Sequence, residues 1–259
     1  MYQTALITGA SSGIGRELAR CFAKDRINLV LAARRRERLE ELAGELSDAH
    51  NIAVEIFDVD LSDAGAREEV YHALKKKSIA VDYLVNNAGF GDNGPFIESD
   101  WQKQNAMIEL NITALSHLTR LFLPEMTRRG RGGLLNVAST AAFLPGPYMS
   151  VYYATKAYVL SFTEALAQEL KGSGVRVSAL CPGPVVTEFQ QQANIKNARM
   201  FSSPMVLGAG RVARIGYRGL MRGKTVNIAG LLMKLTIHPL RLTPRALVRA
   251  VSAALARNH

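Results

Sequence analysis

Residues 4–15 read Thr4-Ala5-Leu6-Ile7-Thr8-Gly9-Ala10-Ser11-Ser12-Gly13-Ile14-Gly15, and this stretch decides the fold. Its first five residues are apolar or β-branched, which suits a buried strand. The rest holds three glycines and two serines and leads into an amphipathic run from Gly13 to Lys24. Glycine at 9, 13 and 15 lets the chain turn tightly and lets a ligand approach the backbone. The helix opening there presents free N–H groups and the positive end of its dipole. A plain connecting turn needs neither three glycines nor two serines. Gly9, Ser11, Ser12, Gly13, Ile14 and Gly15 are therefore expected to cradle the pyrophosphate of a dinucleotide.

Outward from this turn the pattern repeats. Ile27–Ala32 is a second strand and Arg36–Leu46 a second helix. Val54–Phe57, Tyr83–Val85, Leu134–Val137 and Val175–Leu180 are further strands, with helical stretches between them. Near-continuous apolar strands separated by helices call for a parallel sheet covered on both faces. Right-handed crossovers then give an α/β fold: a single doubly wound parallel-sheet domain of Rossmann type over residues 1–259, with helices on both faces. Ligands are expected at the carboxyl ends of its strands. Residues 187–259 read as a substrate loop and a basic C-terminal helical extension.

The end of the second strand selects the cofactor. A site for NAD places an acid there to hold the ribose 2′-hydroxyl, but the residues present are Ala33-Arg34-Arg35-Arg36. A guanidinium pairs with a 2′-phosphate that a carboxylate would repel. NADP(H) is the expected cofactor, with Arg34 on the phosphate and Arg35 and Arg36 opening an exposed helix.

Tyr152-Tyr153-Ala154-Thr155-Lys156 sets Tyr152 and Lys156 one helical turn apart. An ammonium at ~5 Å in an effective dielectric of ~20 favours a phenolate by about 3 kcal/mol, roughly two pKa units. On that arithmetic Tyr152 becomes competent for proton transfer. Ser139 follows the strand Leu134–Val137, where its hydroxyl can donate to a carbonyl oxygen. Asn111 is a polar residue among Ile108, Leu110 and Ile112, serving either structure or chemistry.

With these residues in place, the chain resembles the short-chain dehydrogenase/reductase family from Thr4 to about Thr187. Thr8-Gly9-x-x-x-Gly13-Ile14-Gly15 is similar to the family's cofactor turn, Asp60-Leu61 to its adenine-contacting pair, and Asn86-Asn87-Ala88-Gly89 to its fourth-strand signature. Asn111, Ser139, Tyr152 and Lys156 fall in the order of its catalytic tetrad, and Pro182-Gly183-Pro184-Val185-Val186-Thr187 matches the segment that grips the nicotinamide carboxamide. The resemblance implies hydride exchange between NADP(H) and a carbonyl or alcohol. Tyr152 would be the acid/base, Ser139 would steady the oxygen, and Lys156 would tune the tyrosine and hold the ribose. Asn111 would keep a water that connects Lys156 to solvent. It implies cofactor contacts from Asn87, Ala88, Gly89, Pro182, Gly183, Val185 and Thr187, and a homodimer or homotetramer built on helices near Ala106–Thr127 and Val151–Lys171. Ala142 stands where relatives often carry glycine. A protein that binds NADPH as a sensor or scaffold is the other reading.

The remaining features bound partners and location. Phe90, Phe143, Leu144, Tyr148 and Phe189 flank the expected site, lining it for an apolar small-molecule substrate or filling the core. Cys21 and Cys181 have no partner pattern and read as buried thiols, and no metal set is visible. With no basic leader followed by an apolar stretch, a cytoplasmic location is expected. The net charge of +10 suggests an anionic partner, but the basic residues lack interleaved aromatics, so nucleic acid is not expected. Gly230–Leu240 and Arg245–Leu255 mix apolar and basic residues at helical spacing. They serve packing, a subunit contact or peripheral contact with a membrane. Glu188–Met205 reads as a mobile polar segment over the site with a helical turn or two.

Overall fold

The computed structural model describes residues 3–194, 206–240 and 242–257. Its strands are β1 (Thr4–Thr8), β2 (Asn28–Ala33), β3 (Val54–Asp58), β4 (Tyr83–Asn86), β5 (Gly132–Val137), β6 (Val175–Cys181) and β7 (Val226–Ile228). They form one sheet in the order β3-β2-β1-β4-β5-β6-β7, with every neighbouring pair parallel. The sheet expected from the sequence is thus found, with β7 added at its edge. Three residues long, β7 is too short for a period-2 pattern to reveal.

The helices are α1 (Gly13–Lys24), α2 (Arg36–His50), α3 (Ala64–Lys76), α4 (Trp101–Ile108), α5 (Leu115–Arg128), α6 (Ser150–Glu169), α7 (Phe189–Gln192), α8 (Ala209–Met221), α9 (Leu231–Leu240) and α10 (Arg245–Arg257). Helices α1, α2, α3, α5, α6 and α8 pack apolar residues against the sheet. In α1 these are Leu18, Ala19, Phe22 and Ala23, the i, i+1, i+4, i+5 spacing of one helix face. It packs with α2 and α8 on one side of the sheet. Val70, Leu74, Leu118, Phe122 and Met126 of α3 and α5 cover the other. A third cluster joins Val159 and Leu160 of α6 to Ile237 of α9. Between strands, Asn86 Nδ2 donates to Asn136 Oδ1 at 3.0 Å and Asn136 Nδ2 to Thr163 Oγ1 at 2.9 Å, which pairs polar groups that water does not reach.

The segment read as a mobile strap contributes the single turn α7, and its part from 195 to 205 lies outside the described residues. Of the cysteines, Cys181 is buried, whereas Cys21 is half-buried on the outer edge of α1.

Phe22 is fully buried, with its ring 5.4 Å from that of Tyr83 and 4.8 Å from that of Tyr217, so it joins α1, β4 and α8. Phe22→Ala is expected to lower the free energy of unfolding by about 3–5 kcal/mol in urea titrations, and a loss near zero would contradict this packing.

Candidate active site

Strand β1 ends in a clamp. Thr8 Oγ1 accepts from the backbone N–H groups of Asn87 (2.9 Å) and Ala88 (3.0 Å), and Asn87 Nδ2 donates back to the carbonyls of Thr8 (2.9 Å) and Gly9 (3.2 Å). The turn and the end of β4 are so close that a Cβ on Gly9, whose φ is +65°, would lie 2.8 Å from Asn87 Nδ2. A Cβ on Gly15 would lie 2.3 Å from the Gly9 carbonyl oxygen, so this glycine is required for helix α1 to sit against its own turn. Ser12, the N-cap of α1, makes no side-chain cap, and the first turn has no acid, which leaves its N–H groups and dipole available to an anion.

A cavity of about 850 Å³ runs along the carboxyl ends of the strands from this turn to α9 and α10. Ser139, Tyr152 and Lys156 border it, as do the expected cofactor residues Gly9, Ser11, Ser12, Gly13, Ile14, Arg34, Asp60, Leu61, Asn87, Ala88, Gly89, Pro182, Gly183, Val185 and Thr187. Two expected residues do not. Gly15 has the packing role just given, and Asn111 stands one layer behind. Of the flanking apolar residues, Phe90, Leu144 and Phe189 line the cavity. Phe143 instead packs into the third core cluster, and Tyr148 is exposed. The sequence reading missed the contribution of α9 and α10, among them Met233, Ile237, Leu247 and Val251. Apolar residues at helical spacing were the only signal, and these do not reveal what the helices cover.

At the end of β2, Arg34 lies 3.7 Å from Asp60 and is largely exposed. Burial opposes ionisation of Asp60, but hydrogen bonds from Ser62 and the Arg34 charge outweigh it and hold this carboxyl below its ordinary range. Arg36 behaves as expected, pairing on the surface with Glu40 at 2.8 Å and Asp58 at 3.4 Å. Arg35 does not. Its guanidinium turns inward, donating to Ser11 Oγ from Nη2 at 3.1 Å and to Glu188 from Nη1 at 2.7 Å, and it borders the cavity. The expectation that it merely opens an exposed helix is corrected. The reason is Glu188, far along the chain, which also binds Arg38. Uncapped N–H groups, a serine hydroxyl and two guanidiniums make a donor set that fits a dinucleotide carrying an extra phosphate.

At the other end of the cavity Tyr152 projects from the first turn of α6, hydrogen-bonded to Ser139. Ser139 Oγ accepts from Ala141 N at 3.1 Å and also reaches the Pro182 carbonyl at a long 3.5 Å. Lys156 Nζ donates to the Val137 carbonyl at 2.9 Å and sits 5.9 Å from the centre of the Tyr152 ring. Asn111, 1 % exposed, occupies a π-helical turn (Glu109–Ala114) between α4 and α5. Its Nδ2 donates to the Phe90 carbonyl at 2.9 Å and to Thr155 Oγ1 at 3.0 Å, while Oδ1 accepts from Phe90 N at 3.1 Å. Thr155, not singled out by the sequence reading, in turn donates to the Tyr152 carbonyl at 2.7 Å and so joins Asn111 to the helix that carries the tyrosine.

The charge state differs from the sequence arithmetic. Burial pushes the Tyr152 phenol up to about 12, with the Ser139 hydrogen bond opposing it. Burial pushes Lys156 down to about 8. An isolated Coulomb pair would lower the tyrosine, but both groups are buried and desolvation of each favours the neutral form. The sign follows. Between about 8 and its ordinary 10.5, Lys156 holds more protons unfolded than folded, so its contribution to stability rises with pH, whereas Tyr152 acts in the opposite sense only above its ordinary 10. The urea midpoint of the parent protein should therefore climb relative to Lys156→Met from about pH 7 to about pH 10, and parallel pH profiles would contradict the buried, depressed lysine.

Three comparisons bear on this arrangement. The short chain dehydrogenase family model matches residues 3–198. An uncharacterized oxidoreductase of Myxococcus xanthus is 33 % identical over 222 residues, covering 86 % of this chain and 85 % of its own. Sulfoacetaldehyde reductase 2 of Chromohalobacter salexigens is 40 % identical over 191 residues, 73 % of this chain and 75 % of its own. Among solved structures, a short-chain dehydrogenase from Sphingobium yanoikuyae in complex with NADPH superposes with a TM-score of 0.82 at 35 % identity, covering 88 % of each chain. With the parallel sheet, the glycine turn and the Ser139–Tyr152–Lys156 group on one cavity, these likenesses establish that the chain belongs to the short-chain dehydrogenase family of oxidoreductases.

Proposed function

We propose that the protein interconverts a carbonyl and a secondary alcohol on a bulky, apolar substrate, with NADP(H) as its hydride partner. One observation carries this reading: a single cavity has Tyr152, Ser139 and Lys156 at one end and Arg34, Arg35 and Ser11 at the other. NADPH, when bound, supplies the hydride. Arg34 and Arg35 would hold its 2′-phosphate, and the turn Gly9–Gly15 with the N-terminus of α1 would hold the pyrophosphate. Asp60 and Leu61 would meet the adenine side, Lys156 the nicotinamide ribose, and Pro182–Thr187 the carboxamide. The NADPH-bound Sphingobium structure supports this choice of cofactor.

The chain's own side chains account for the proton. With its pKa raised by burial, Tyr152 retains its phenolic hydrogen near neutral pH and can donate it to the substrate oxygen as negative charge builds there. Ser139 can exchange its weak 3.5 Å bond to Pro182 for a stronger one to that same oxygen. Lys156, poised near 8, would replace the proton on the tyrosine. Asn111 and Thr155 would keep the Phe90 loop and the first turn of α6 in register, a positioning part. Leu144, Met149, Phe189, Met233 and Leu240 give the remaining walls an apolar character, which supports a bulky ketone over a small polar one. A second copy of the chain would dock on α5 and α6, where Tyr158 is exposed, stacks on Phe162 and bonds to Ser116.

Transfer of label from deuterated NADPH to a product alcohol, screened over a panel of ketones, tests the reaction class. Failure on every bulky apolar ketone would remove the substrate reading. Tyr152→Phe is expected to lower kcat by about 10²- to 10⁴-fold while NADPH affinity changes by less than several-fold, and unchanged turnover would refute the proton role. Arg34→Ala and Arg35→Ala are each expected to weaken NADPH by about tenfold and leave NADH nearly unaffected, one charge-assisted contact being worth about 1.5–3 kcal/mol. Equal losses for both cofactors would undo the assignment.

A further inference from the structure

All of the chain's net positive charge comes from its last quarter. After Glu188 the sequence has twelve lysines and arginines and no aspartate or glutamate, whereas residues 1–188 carry all 22 acids against 20 bases. Helices α9 and α10 lie in this acid-free part, beyond the residues matched by the family model. Both are two-faced. Met233, Ile237 and Leu240 of α9 point into the cavity and the third core cluster. On the opposite side Leu231 and Leu235, one helical turn apart, are 73 % and 64 % exposed, and Leu242 beyond the end of the helix is 92 % exposed. In α10, Val248 and Ser252 are buried, and Leu247 and Val251 are half-exposed where they border the cavity. Arg245 and Arg249 are exposed one helical turn apart on the same element.

We propose that α9 and α10 form a docking surface for an anionic lipid bilayer. Exposed leucines on α9 and exposed arginines on α10, in a stretch of sequence without acids, match the chemistry of an acidic lipid interface, where apolar groups enter the acyl boundary and cations meet headgroups. The same charge argues against a second copy on this face, because two acid-free surfaces would bring like charges together. Among the described residues no helix is long and apolar enough to cross a membrane, so the contact is peripheral. Such docking would bring the cavity, which α9 and α10 line, beside the bilayer. Lipid binding itself is independent of which reaction the cavity performs.

Vesicle sedimentation with the full chain tests this. The parent should pellet with phosphatidylcholine vesicles containing phosphatidylserine and far less with phosphatidylcholine alone, and raised salt should release it. Leu231→Glu with Leu235→Glu, and separately Arg245→Glu with Arg249→Glu, should each lower binding to the mixed vesicles by at least about tenfold. All four positions are exposed, and an unchanged circular dichroism melt would show that the variants remain folded. Failure of the parent to sediment with the mixed vesicles would overturn the proposal, as would undiminished binding by either double variant. So would a halved particle mass of the leucine variant in sedimentation velocity without lipid, which would assign the face to self-contact.

Discussion

The hydrogen bonds between Thr8, Gly9 and the Asn87-Ala88 backbone hold the two halves of the sheet to one another where the strand order reverses. On one side of β1 the chain winds outward through β2 and β3, and on the other through β4 to β7. At such a switch point neighbouring crossovers leave in opposite directions and open a crevice, and the clamp fixes its width. Asn87 and Ala88 carry the chain on to Gly89, where a Cβ would stand 2.8 Å from Asn111 Oδ1 and 3.4 Å from Lys156 Nζ. The glycine turn and the lysine end of the cavity are thus tied through three consecutive residues. A displacement at the turn is therefore passed through the hydrogen-bonded clamp and three residues of backbone to the close contacts that Gly89 makes with Asn111 and Lys156.

Burial decides the electrostatics of the second end. Among the described residues the Lys156 ammonium is held by a neutral acceptor, the Val137 carbonyl at 2.9 Å, and forms no salt bridge. A cation with one neutral acceptor in a low-dielectric setting gives up its proton easily, and a buried phenol keeps its own. The pair is thereby biased toward two neutral groups, a state in which the tyrosine is a donor. On the proposed reading, the ketone-forming direction would require a compensating positive charge nearby, and an oxidised nicotinamide would supply one.

Much of this was readable before the fold was known. Thr4–Thr8 and its glycines identify strand, turn and helix because each residue type there answers a local backbone demand. The order of Asn111, Ser139, Tyr152 and Lys156 was legible for a different reason: it resembles the tetrad of a known family, and the fold then brings Ser139, Tyr152 and Lys156 to one cavity with Asn111 behind them. What stayed hidden depends on distant or subtle causes. The inward turn of Arg35 is set by Glu188, 153 positions away. The π-helical turn at Asn111 leaves the apolar pattern of an ordinary helix almost unchanged, so periodicity cannot report it. Thr155 looked like filler between Tyr152 and Lys156, although a threonine beside a buried lysine was a usable sign. The lining provided by α9 and α10 follows from how the tail folds back, which no local signal encodes.

The Arg35–Glu188 contact has a consequence for selectivity. Any anion that takes the Arg35 guanidinium takes it in exchange for a carboxylate already there, so binding at the ribose end is a displacement. Exposed pairs of this kind are worth about 0.2–1 kcal/mol, and Arg38 would still retain Glu188. The exchange therefore costs a phosphate dianion little. A neutral hydroxyl, unable to offer charge in return, would leave the ion pair closed. On the proposed cofactor choice, the counterion would add a small bias, about five-fold at most, toward a dinucleotide that carries the extra phosphate. Glu188 directly precedes Phe189 in the cavity wall, so the counterion of Arg35 and the ring that packs on Tyr152 are covalent neighbours.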